Sequence, residues 1–393
     1  MKIGIDISQV VYQGTGVAAY TENLITNLLK IDKKNEYVLF GSSLRLRSKL
    51  ESFYNSHATV HGSKEKGIIN SKNKKNYNNS QGKFFSFPLI FLECLWNKYH
   101  ILPIETFTGK LDVFHSSDWL EPPAKCPKVT TIHDLAIFKY PETFAPRGGH
   151  NIVTNLKRKF EWVKKESKLI IAVSENTKKD IMELLGVPEE RIRVVYEAVD
   201  EKFIIPKTKL QIEKIKKKYG VEGKYILAVG TIEPRKNLKR VIEAFFQLRG
   251  TEPVNLVIAG KYGWGHELDR DRVRDRVKIL GYVPKEDLAG LYAGAECFVY
   301  PSLYEGFGLP VLEAMASGCP VVTSNVSSLP EIAGQAGVLV NPYDTQEIER
   351  GIQEALQNRK KLIELGRQRC HQFSWQKTAL QTLKIYEEAL GKS

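Results

Sequence analysis

Residues 300–322 read Tyr-Pro-Ser-Leu-Tyr-Glu-Gly-Phe-Gly-Leu-Pro-Val-Leu-Glu-Ala-Met-Ala-Ser-Gly-Cys-Pro-Val-Val and contain the most specific pattern in the chain. Apolar runs at 297–300 and 320–323 predict two strands on either side of a loop and a helix. Pro310 suits the first turn of that helix, and Gly318 suits its end. The stretch therefore predicts one βαβ unit of a parallel sheet.

Apolar runs of strand length alternate with helix-like segments along the whole chain. The helices are marked by amphipathic spacing of three and four residues, as at Val17, Tyr20 and Leu24. Alternating strands and helices imply parallel sheets, and two such series imply an α/β protein with two doubly wound, Rossmann-like domains facing across a cleft. The predicted strands are the runs 3–11, 37–40, 113–115, 129–132, 169–173, 192–195, 225–229, 255–259, 277–280, 297–300, 320–323 and 338–340.

The two series of strands are separated by the polar, lysine-rich segment 197–223, which is predicted to connect the domains. We therefore assign residues 1–200 to an N-terminal domain and residues 201–374 to a C-terminal domain. Open parallel sheets bind ligands beyond the carboxyl ends of their strands. The functional site is accordingly predicted in the cleft between the two domains.

Composition narrows the classes of function. Of the 393 residues, 42% are hydrophobic and 26% charged, which excludes a mostly disordered protein. The five cysteines contain no Cys-x-x-Cys pair, which argues against a disulfide framework or a thiolate zinc site and suits a reducing cytoplasm. No stretch approaches the ~20 apolar residues of a spanning helix, and residues 1–6 lack the apolar core of a secretory signal. A cytoplasmic location is therefore predicted.

The net charge of +13 raises nucleic acid, anionic membranes and anionic small molecules as partners. The segment 61–83 carries six lysines against one glutamate, and its Asn, Ser and Gly content predicts a mobile, solvated insertion. An aromatic-rich apolar run follows at 84–96. Together, 61–96 suggest peripheral contact with an anionic membrane surface, whereas the apolar run alone equally suits a core helix.

The loop and helix start within 300–322 have the features of an anion site. Gly306 and Gly308 allow the backbone to approach a ligand closely, and backbone amides at a helix N-terminus attract anions. Glu305 and Glu313 flank this turn, and carboxylates are better acceptors for sugar hydroxyls than partners for phosphate. An ordinary helix cap with surface glutamates is the simpler alternative. The backbone amides at the predicted helix N-terminus are those of Phe307, Gly308 and Leu309.

Other candidate residues follow predicted strands at their carboxyl ends. Arg235 and Lys236 come after a strand of the second domain, where they would neutralise a diphosphate leaving group. His133 and Asp134 follow a strand of the first domain, and because no companion ligands occur at zinc spacing, no metal site is predicted. The remaining candidates lie in short turns: Gly14 and Gly16, Gly260 and Lys261, and Tyr282 and Val283.

These motifs together resemble the family-4 retaining glycosyltransferases, or glycosyl transferases group 1, which have the two-domain GT-B fold. The resemblance covers nearly the whole chain, with 61–83 as the poorest match, and its most specific part is an E-x7-E signature at Glu305 and Glu313. It implies that Glu305 contacts the donor sugar, that Glu313 contacts the nucleotide ribose, and that the amides of 307–309 hold sugar and diphosphate. It also implies retention of anomeric configuration, no divalent metal, and no cofactor beyond the nucleotide-sugar co-substrate.

The same resemblance gives roles to the other candidates. It implies that His133 contacts the donor sugar, with the neighbouring Asp134 also at the donor site. The turn 14–16 is implied to lie against the donor phosphates and the acceptor. The N-terminal domain is implied to bind the acceptor. Gly260, Lys261, Tyr282 and Val283 look like the base and ribose pocket. Thr231 stands where many family members have an arginine, which leaves open whether Arg235 replaces it. The segment 375–393 resembles the family's final helix, which crosses back onto the N-terminal domain.

The segments 131–144 and 260–264 look like those of mannosyltransferase-like members. The predicted function is transfer of a mannosyl unit from GDP-mannose to a saccharide or lipid-linked saccharide in cell-surface polysaccharide synthesis, with the 61–96 segment at the inner membrane face. UDP-glucose and UDP-N-acetylglucosamine stay open as donors, and a sugar-nucleotide epimerase of the same fold is a further alternative. Nucleic-acid binding is disfavoured, because the lysine-rich segment and a diphosphate site account for the excess charge.

Overall fold

The computed structural model describes residues 1–12, 14–58, 79–116, 118–144, 151–248, 254–263 and 276–392. Within these residues the strands form two sheets, and every pairing in both sheets is parallel. The predicted fold of two doubly wound, Rossmann-like domains is therefore confirmed. None of the helices in the described ranges is long and apolar enough to cross a membrane.

The first sheet has seven strands, which lie between residues 2 and 194: β1 (Lys2–Asp6), β2 (Glu36–Ser42), β3 (Ser80–Phe85), β4 (Val113–Ser116), β5 (Lys128–Ile132), β6 (Ser167–Ala172) and β7 (Ile192–Val194). Their order is β3-β2-β1-β4-β5-β6-β7. The accompanying helices are α1 (Gly16–Ile31), α2 (Arg47–Ala58), α3 (Leu89–Leu92), α4 (Glu105–Thr108), α5 (Ala136–Lys139), α6 (Ile152–Glu166) and α7 (Glu175–Asp180).

The second sheet has six strands: β8 (Lys224–Val229), β9 (Val254–Ala259), β10 (Val277–Gly281), β11 (Cys297–Tyr300), β12 (Val321–Ser324) and β13 (Gly337–Val340). Their order is β10-β9-β8-β11-β12-β13. The helices from residue 201 onward are α8 (Glu201–Ile204), α9 (Lys209–Tyr219), α10 (Leu238–Gln247), α11 (Lys285–Gly294), α12 (Leu309–Ala316), α13 (Leu329–Ala333), α14 (Thr345–Gln357), α15 (Arg359–Cys370) and α16 (Trp375–Ala389).

Short helices of other types complete the described chain. Five are 3-10 turns, at Ser8–Val11, Pro141–Thr143, Glu189–Arg191, Pro234–Lys236 and Gly334–Ala336. Two are π-helical, at Glu93–Lys98 and Ile181–Leu185. The turn at Ser8–Val11 shortens the first predicted strand, which ends at Asp6.

The central strands are buried on both faces, which is why they appear in the sequence as continuous apolar runs. All five residues of β5 and all four of β11 are buried. All twelve predicted runs overlap a strand. The carboxyl ends of β1, β5, β8, β9, β10 and β11 lead into the segments that contain the candidate site residues.

Strand β3 corrects the predicted insertion. Residues 80–83 are not part of a mobile loop, because they form the edge strand of the first sheet and pair in parallel with β2. The hydroxyl of Tyr54 also donates a hydrogen bond of 2.9 Å to the Ser80 carbonyl. A single strand with few apolar residues at the sheet edge leaves no clear periodic signal in the sequence. The rest of the predicted insertion, from residue 61 to 78, lies outside the described residues.

The apolar run 84–96 belongs mainly to the core of the N-terminal domain. Leu92 and Trp96 are buried, and the indole N–H of Trp96 donates 3.0 Å to the Leu102 carbonyl. Two side chains of the run, Ile90 and Phe91, remain 60% and 49% exposed. The alternative prediction, that this apolar run lies in the core, therefore holds for most of it.

Helix α16 packs against α1 of the N-terminal domain. The hydroxyl of Tyr386 lies 2.7 Å from Nδ1 of the buried His115. From the start of α16, the Thr378 hydroxyl donates 2.7 Å to the Tyr196 carbonyl, just after β7. The C-terminal segment is therefore bound to the segment that leads from one domain to the other.

Candidate active site

A cleft of about 460 Å³ lies between the two domains. Its walls are the ends of the strands and the first turns of the helices that follow them, as expected for open parallel sheets. The cleft brings together all sixteen residues that the sequence analysis singled out: Gly14, Gly16, His133, Asp134, Arg235, Lys236, Gly260, Lys261, Tyr282, Val283, Glu305, Gly306, Phe307, Gly308, Leu309 and Glu313.

The loop 301–308 and helix α12 form one wall of the cleft. Pro310 lies in the first turn of α12, and Gly308 precedes the helix with a φ of 106°, a left-handed conformation that favours glycine. The hydroxyl of Ser328 braces the loop by donating 2.8 Å to the Phe307 carbonyl and 3.0 Å to the Glu305 carbonyl. A helix N-terminus is thereby presented to the cleft, which suits an anionic ligand.

Glu305 is the centre of a buried ion-pair cluster. Its Oε1 lies 2.6 Å from the Lys236 ammonium, and its Oε2 lies 3.1 Å from the Arg235 guanidinium. The hydroxyls of Ser302 and Tyr300 also donate to Oε1, at 2.5 and 2.8 Å. Burial alone would raise the pKa of Glu305, but Lys236 and Arg235 lower it to about 2. Glu305 is therefore a carboxylate at neutral pH.

Arg235 has a second acidic partner. Its guanidinium lies 2.7 Å from Glu233 and donates 2.6 Å to the Tyr304 carbonyl. Across the cleft it faces Asp134, whose carboxylate caps the backbone N–H of Ala136 at 2.9 Å. Burial raises the pKa of Asp134, and Arg235 offsets part of that rise. Two cations and three carboxylates thus surround the point where the domains meet.

Glu313 lies apart from this cluster, one turn into α12. The Tyr292 hydroxyl donates 3.3 Å to its Oε2. Burial raises the pKa of Glu313 to about 7, and Lys285 opposes only part of this effect. Glu313 is therefore divided between its neutral and charged forms near neutral pH, unlike Glu305.

Another part of the cleft is lined by an aromatic ring and a lysine side chain. The Lys261 ammonium lies 4.5 Å from the centroid of the Tyr282 ring. That ring in turn approaches the N-terminal domain, because a Cβ on Gly14 would lie 2.7 Å from it. A Cβ on Gly260 would lie 1.7 Å from the Gly230 carbonyl oxygen, so only glycine fits there. Trp264, at the end of the predicted 260–264 segment, lies outside the described residues.

His133 lies on the N-terminal side of the cleft and is held by two groups. Its Nδ1 lies 2.9 Å from Oε1 of Glu197, and the Tyr20 ring packs edge-on against the imidazole with centroids 4.6 Å apart. Burial alone would lower the pKa of His133, but Glu197 reverses this, and the pKa is raised. The imidazole is therefore biased towards its cationic form.

The two domains touch directly at Gly306. The hydroxyls of Ser174 and Thr177 donate to its carbonyl at 2.6 and 3.0 Å. A Cβ on Gly306 would lie 1.6 Å from the carbonyl oxygen of His133. The backbone of Gly306, in the loop before α12, thus packs directly against the N-terminal domain.

Four cleft residues with ionisable side chains were missed in the sequence: Glu197, Glu233, Lys285 and Tyr300. Glu233 and Tyr300 adjoin recognised motifs, since one precedes Arg235 by two residues and the other ends β11. Their positions beside these motifs could therefore have identified both residues as site candidates. Glu197 lies in the polar connecting segment, where nothing distinguishes it from solvated neighbours.

Among residues in the described ranges, no group of three or more His, Cys, Asp or Glu side chains is arranged to hold a metal ion.

Two facing Rossmann-like domains, with cations and carboxylates concentrated at the strand ends between them, define an enzyme of the GT-B class. Two family profiles match the chain: Glycosyltransferase Family 4 over residues 15–203 and Glycosyl transferases group 1 over residues 211–369. The O-antigen chain mannosyltransferase B of Escherichia coli is 35% identical over 70% of this chain and 74% of its own length. The chain therefore belongs to the group 1, family 4 glycosyltransferases and is a hexosyltransferase.

Solved structures show the same fold at lower identity. Anabaena HepE in complex with UDP-glucose has a TM-score of 0.68 and 17% identity, covering 99% of this chain and 100% of that chain. Sucrose-phosphate synthase from Thermosynechococcus elongatus has a TM-score of 0.70 and 19% identity, with 100% of both chains covered. These two structures support the GT-B architecture.

The raised pKa of Glu313 predicts a pH-dependent affinity for nucleotide. If the carboxylate accepts hydrogen bonds from the ribose, binding weakens as Glu313 becomes protonated below about pH 7. We expect the dissociation constant of the preferred nucleoside diphosphate to rise about tenfold from pH 8 to pH 6, because each pH unit below a pKa lowers the charged fraction about tenfold.

Isothermal titration calorimetry of wild type and Glu313→Gln over this range checks the expectation. The phosphate groups of the nucleotide titrate in the same range, but they do so equally for both proteins. The ratio of the two dissociation constants therefore isolates Glu313. The same pH dependence in both proteins would contradict a ribose contact by the Glu313 carboxylate.

Proposed function

We propose that the enzyme transfers a mannosyl unit from GDP-mannose to a hydroxyl of a saccharide or lipid-linked saccharide, with retention of configuration and without a divalent metal or other cofactor. The observation that carries this proposal is the buried cluster of Arg235, Lys236 and Glu305 beside the N-terminus of α12. Fixed cations and a helix terminus supply the positive charge for which other enzymes use a metal ion.

In the proposed reaction the donor diphosphate lies between Lys236, Arg235 and the amides of 307–309. The bond between the sugar anomeric carbon and the diphosphate oxygen breaks, and the acceptor oxygen bonds to that carbon from the same face. The acceptor proton passes to the departing diphosphate oxygen. The cations stabilise the negative charge that develops on the diphosphate, and the buried site strengthens this interaction because little water screens it.

The carboxylates have separate roles in this proposal. Glu305 orients both cations and accepts a hydrogen bond from a donor-sugar hydroxyl. Glu313 accepts from the ribose hydroxyls, and the Tyr282 end of the cleft holds the base. His133 donates a hydrogen bond to the donor sugar from the opposite wall.

Mannose as the transferred sugar is supported by the mannosyltransferase relative from Escherichia coli and by the mannosyltransferase-like segments at 131–144 and 260–264. O-antigen synthesis, named for that relative, fits an acceptor in cell-surface polysaccharide synthesis. UDP-sugars remain the alternative donors. Membership of the glycosyltransferase family favours transfer over epimerisation.

A thermal-shift panel tests the donor. We expect GDP and GDP-mannose, each at about 100 times its dissociation constant, to stabilise the protein by about 2.7 kcal/mol and raise its melting temperature by about 3 °C. UDP, ADP and their sugars should give smaller shifts at the same concentrations. The panel is repeated with EDTA, and the shift should persist.

The panel distinguishes the alternatives. A larger melting-temperature shift with UDP-sugars would indicate a UDP-sugar as the donor in place of GDP-mannose. No shift with any nucleotide would refute the site. Product analysis by NMR with a mannose-terminated acceptor then tests retention, for which an α-linked product is expected. A sugar nucleotide changed at one stereocentre in the absence of acceptor would instead indicate an epimerase.

We also propose that the enzyme acts in the cytoplasm, at the inner face of the membrane, through the region 61–96. The exposed side chains of Ile90 and Phe91 support an apolar contact, and the six lysines of 61–83 would favour an anionic surface. Near them Tyr99 and Ile101 are also exposed, at 61% and 54%. Lipid contact stays a prediction that is independent of the chemistry in the cleft.

A further inference from the structure

Glu197 is a buried carboxylate that none of the recognised motifs contains. It is 4% exposed, and its Oε1 lies 2.9 Å from Nδ1 of His133, on the wall of the cleft. An ionised carboxylate only accepts hydrogen bonds, so this contact requires that Nδ1 of His133 donate its proton. The other ring nitrogen, Nε2, is then the one available to a ligand in the cleft.

The backbone that leads into Glu197 is fixed by two hydrogen bonds. The N–H of Val195 donates 2.9 Å to the Ala172 carbonyl, at the end of β6. The Tyr196 carbonyl accepts the Thr378 hydroxyl from α16 at 2.7 Å. Glu197 is therefore held by the first sheet and by the C-terminal helix, in the segment that leads into the second domain.

The groups around His133 carry mostly negative charge. Glu197 makes the direct hydrogen bond, and Asp118 and Asp134 add favourable charge interactions with an imidazolium. From β4, His115 lies close enough to interact with His133, but burial lowers the pKa of His115 to about 3 and keeps it neutral. From α1, Tyr20 contacts the ring with its edge. From the second domain, the backbone of Gly306 reaches the His133 carbonyl.

We propose that Glu197 is the positioning residue for His133, holding the Nδ1 proton and the imidazolium charge so that Nε2 donates to the donor in the cleft. This inference rests on the proposed function for its consequence in catalysis. Glu197 touches neither donor nor acceptor in this arrangement, and it acts through the orientation and charge of the imidazole. The same carboxylate links the catalytic imidazole to the inter-domain segment that α16 holds.

The first test is an NMR titration of His133 in the full-length protein. In wild type, ¹⁵N shifts should show a protonated Nδ1 and a pKa above the usual value of 6.5, with the resonance assigned by its loss in His133→Gln. In Glu197→Gln the pKa should fall by about 1–3 units, because an opposite charge within hydrogen-bonding distance is removed. Glu201→Gln, an exposed carboxylate four residues further along, should leave the titration unchanged.

The second test is the pH profile of turnover. His133 is cationic below its pKa, so a lower pKa moves the alkaline limb of kcat to lower pH. We expect kcat of Glu197→Gln at pH 8 to fall about 10- to 100-fold, with the donor KM nearly unchanged and most of the loss recovered in Glu197→Asp. A purely structural role would lower kcat equally at all pH values.

The outcomes separate the inference from the proposed function. An unchanged His133 pKa in Glu197→Gln overturns the inference, whichever sugar nucleotide the enzyme uses. If Glu197→Gln does not fold, an unprotonated Nδ1 in wild type overturns it equally. Absence of turnover with GDP-mannose overturns the proposed donor but leaves the NMR titration valid.

Discussion

Replacing Lys236 by methionine should lower kcat by about 10²- to 10³-fold, the loss typical when one group that stabilises developing transition-state charge is removed. Methionine retains much of the length of the side chain but not its charge. The ammonium lies 2.6 Å from Glu305, so it is already oriented before a donor arrives. The loss should therefore appear mainly in kcat, measured with saturating donor.

The ion-pair cluster limits the structural damage of this change. Glu305 keeps Arg235 at 3.1 Å and the hydroxyls of Ser302 and Tyr300, so its charge is not left unpaired. Lys239→Met, an exposed lysine three residues further along, is the matched control and should retain wild-type kcat. Equal kcat for Lys236→Met and Lys239→Met would remove Lys236 from the proposed mechanism.

Substituting alanine for Gly306 should reduce kcat/KM by at least about 10²-fold, because a displacement of about 1 Å in a reacting geometry costs about that much. The added Cβ would lie 1.6 Å from the His133 carbonyl and 2.9 Å from Cβ of Asp134. Both contacts belong to the other domain, so each domain can fold while the two are kept apart. Steady-state kinetics measure the loss.

Nucleotide binding separates this effect from misfolding. Most of the proposed nucleotide contacts belong to the C-terminal domain, so the affinity of Gly306→Ala for the nucleoside diphosphate should change much less than kcat/KM. Ser174→Ala removes a hydrogen bond to the same carbonyl without adding an atom, and its loss should be small. Wild-type kcat/KM in Gly306→Ala would show that the reactive state does not require this approach of the domains.

The sequence predicted the parts of the fold that repeat. Central parallel strands are covered on both faces, so their apolar runs are continuous and easily recognised, as in β5 and β11. The edge strand β3 was missed because its six residues include only two large apolar side chains, Phe84 and Phe85. Edge strands need fewer apolar residues, and their identity depends on the neighbouring strand with which they pair.

The site residues could be singled out because they follow strands or lie in short motifs that resemble those of the family-4 glycosyltransferases. Glu305, Glu313, Arg235 and Lys236 were predicted in this way, and the structure brings them into one cleft. Their functional roles stay predictions. Glu197 had no such signal, because its partner His133 is 64 residues away and a glutamate in a polar segment is usually solvated.

The order of elements and the parallel sheets followed from local pattern, since apolar periodicity and glycine-rich turns act over a few residues. The candidate cleft residues followed from short motifs together with their resemblance to the family. The charge states of the side chains and the contacts between them could not be predicted in this way. Glu305 and Glu313 are eight residues apart in one motif, yet two cations lower the pKa of one to about 2, while burial raises the pKa of the other to about 7. Only the tertiary packing decides which side chains lose water and which gain an ionic partner, because desolvation and Coulomb interactions depend on distances in space and not along the chain.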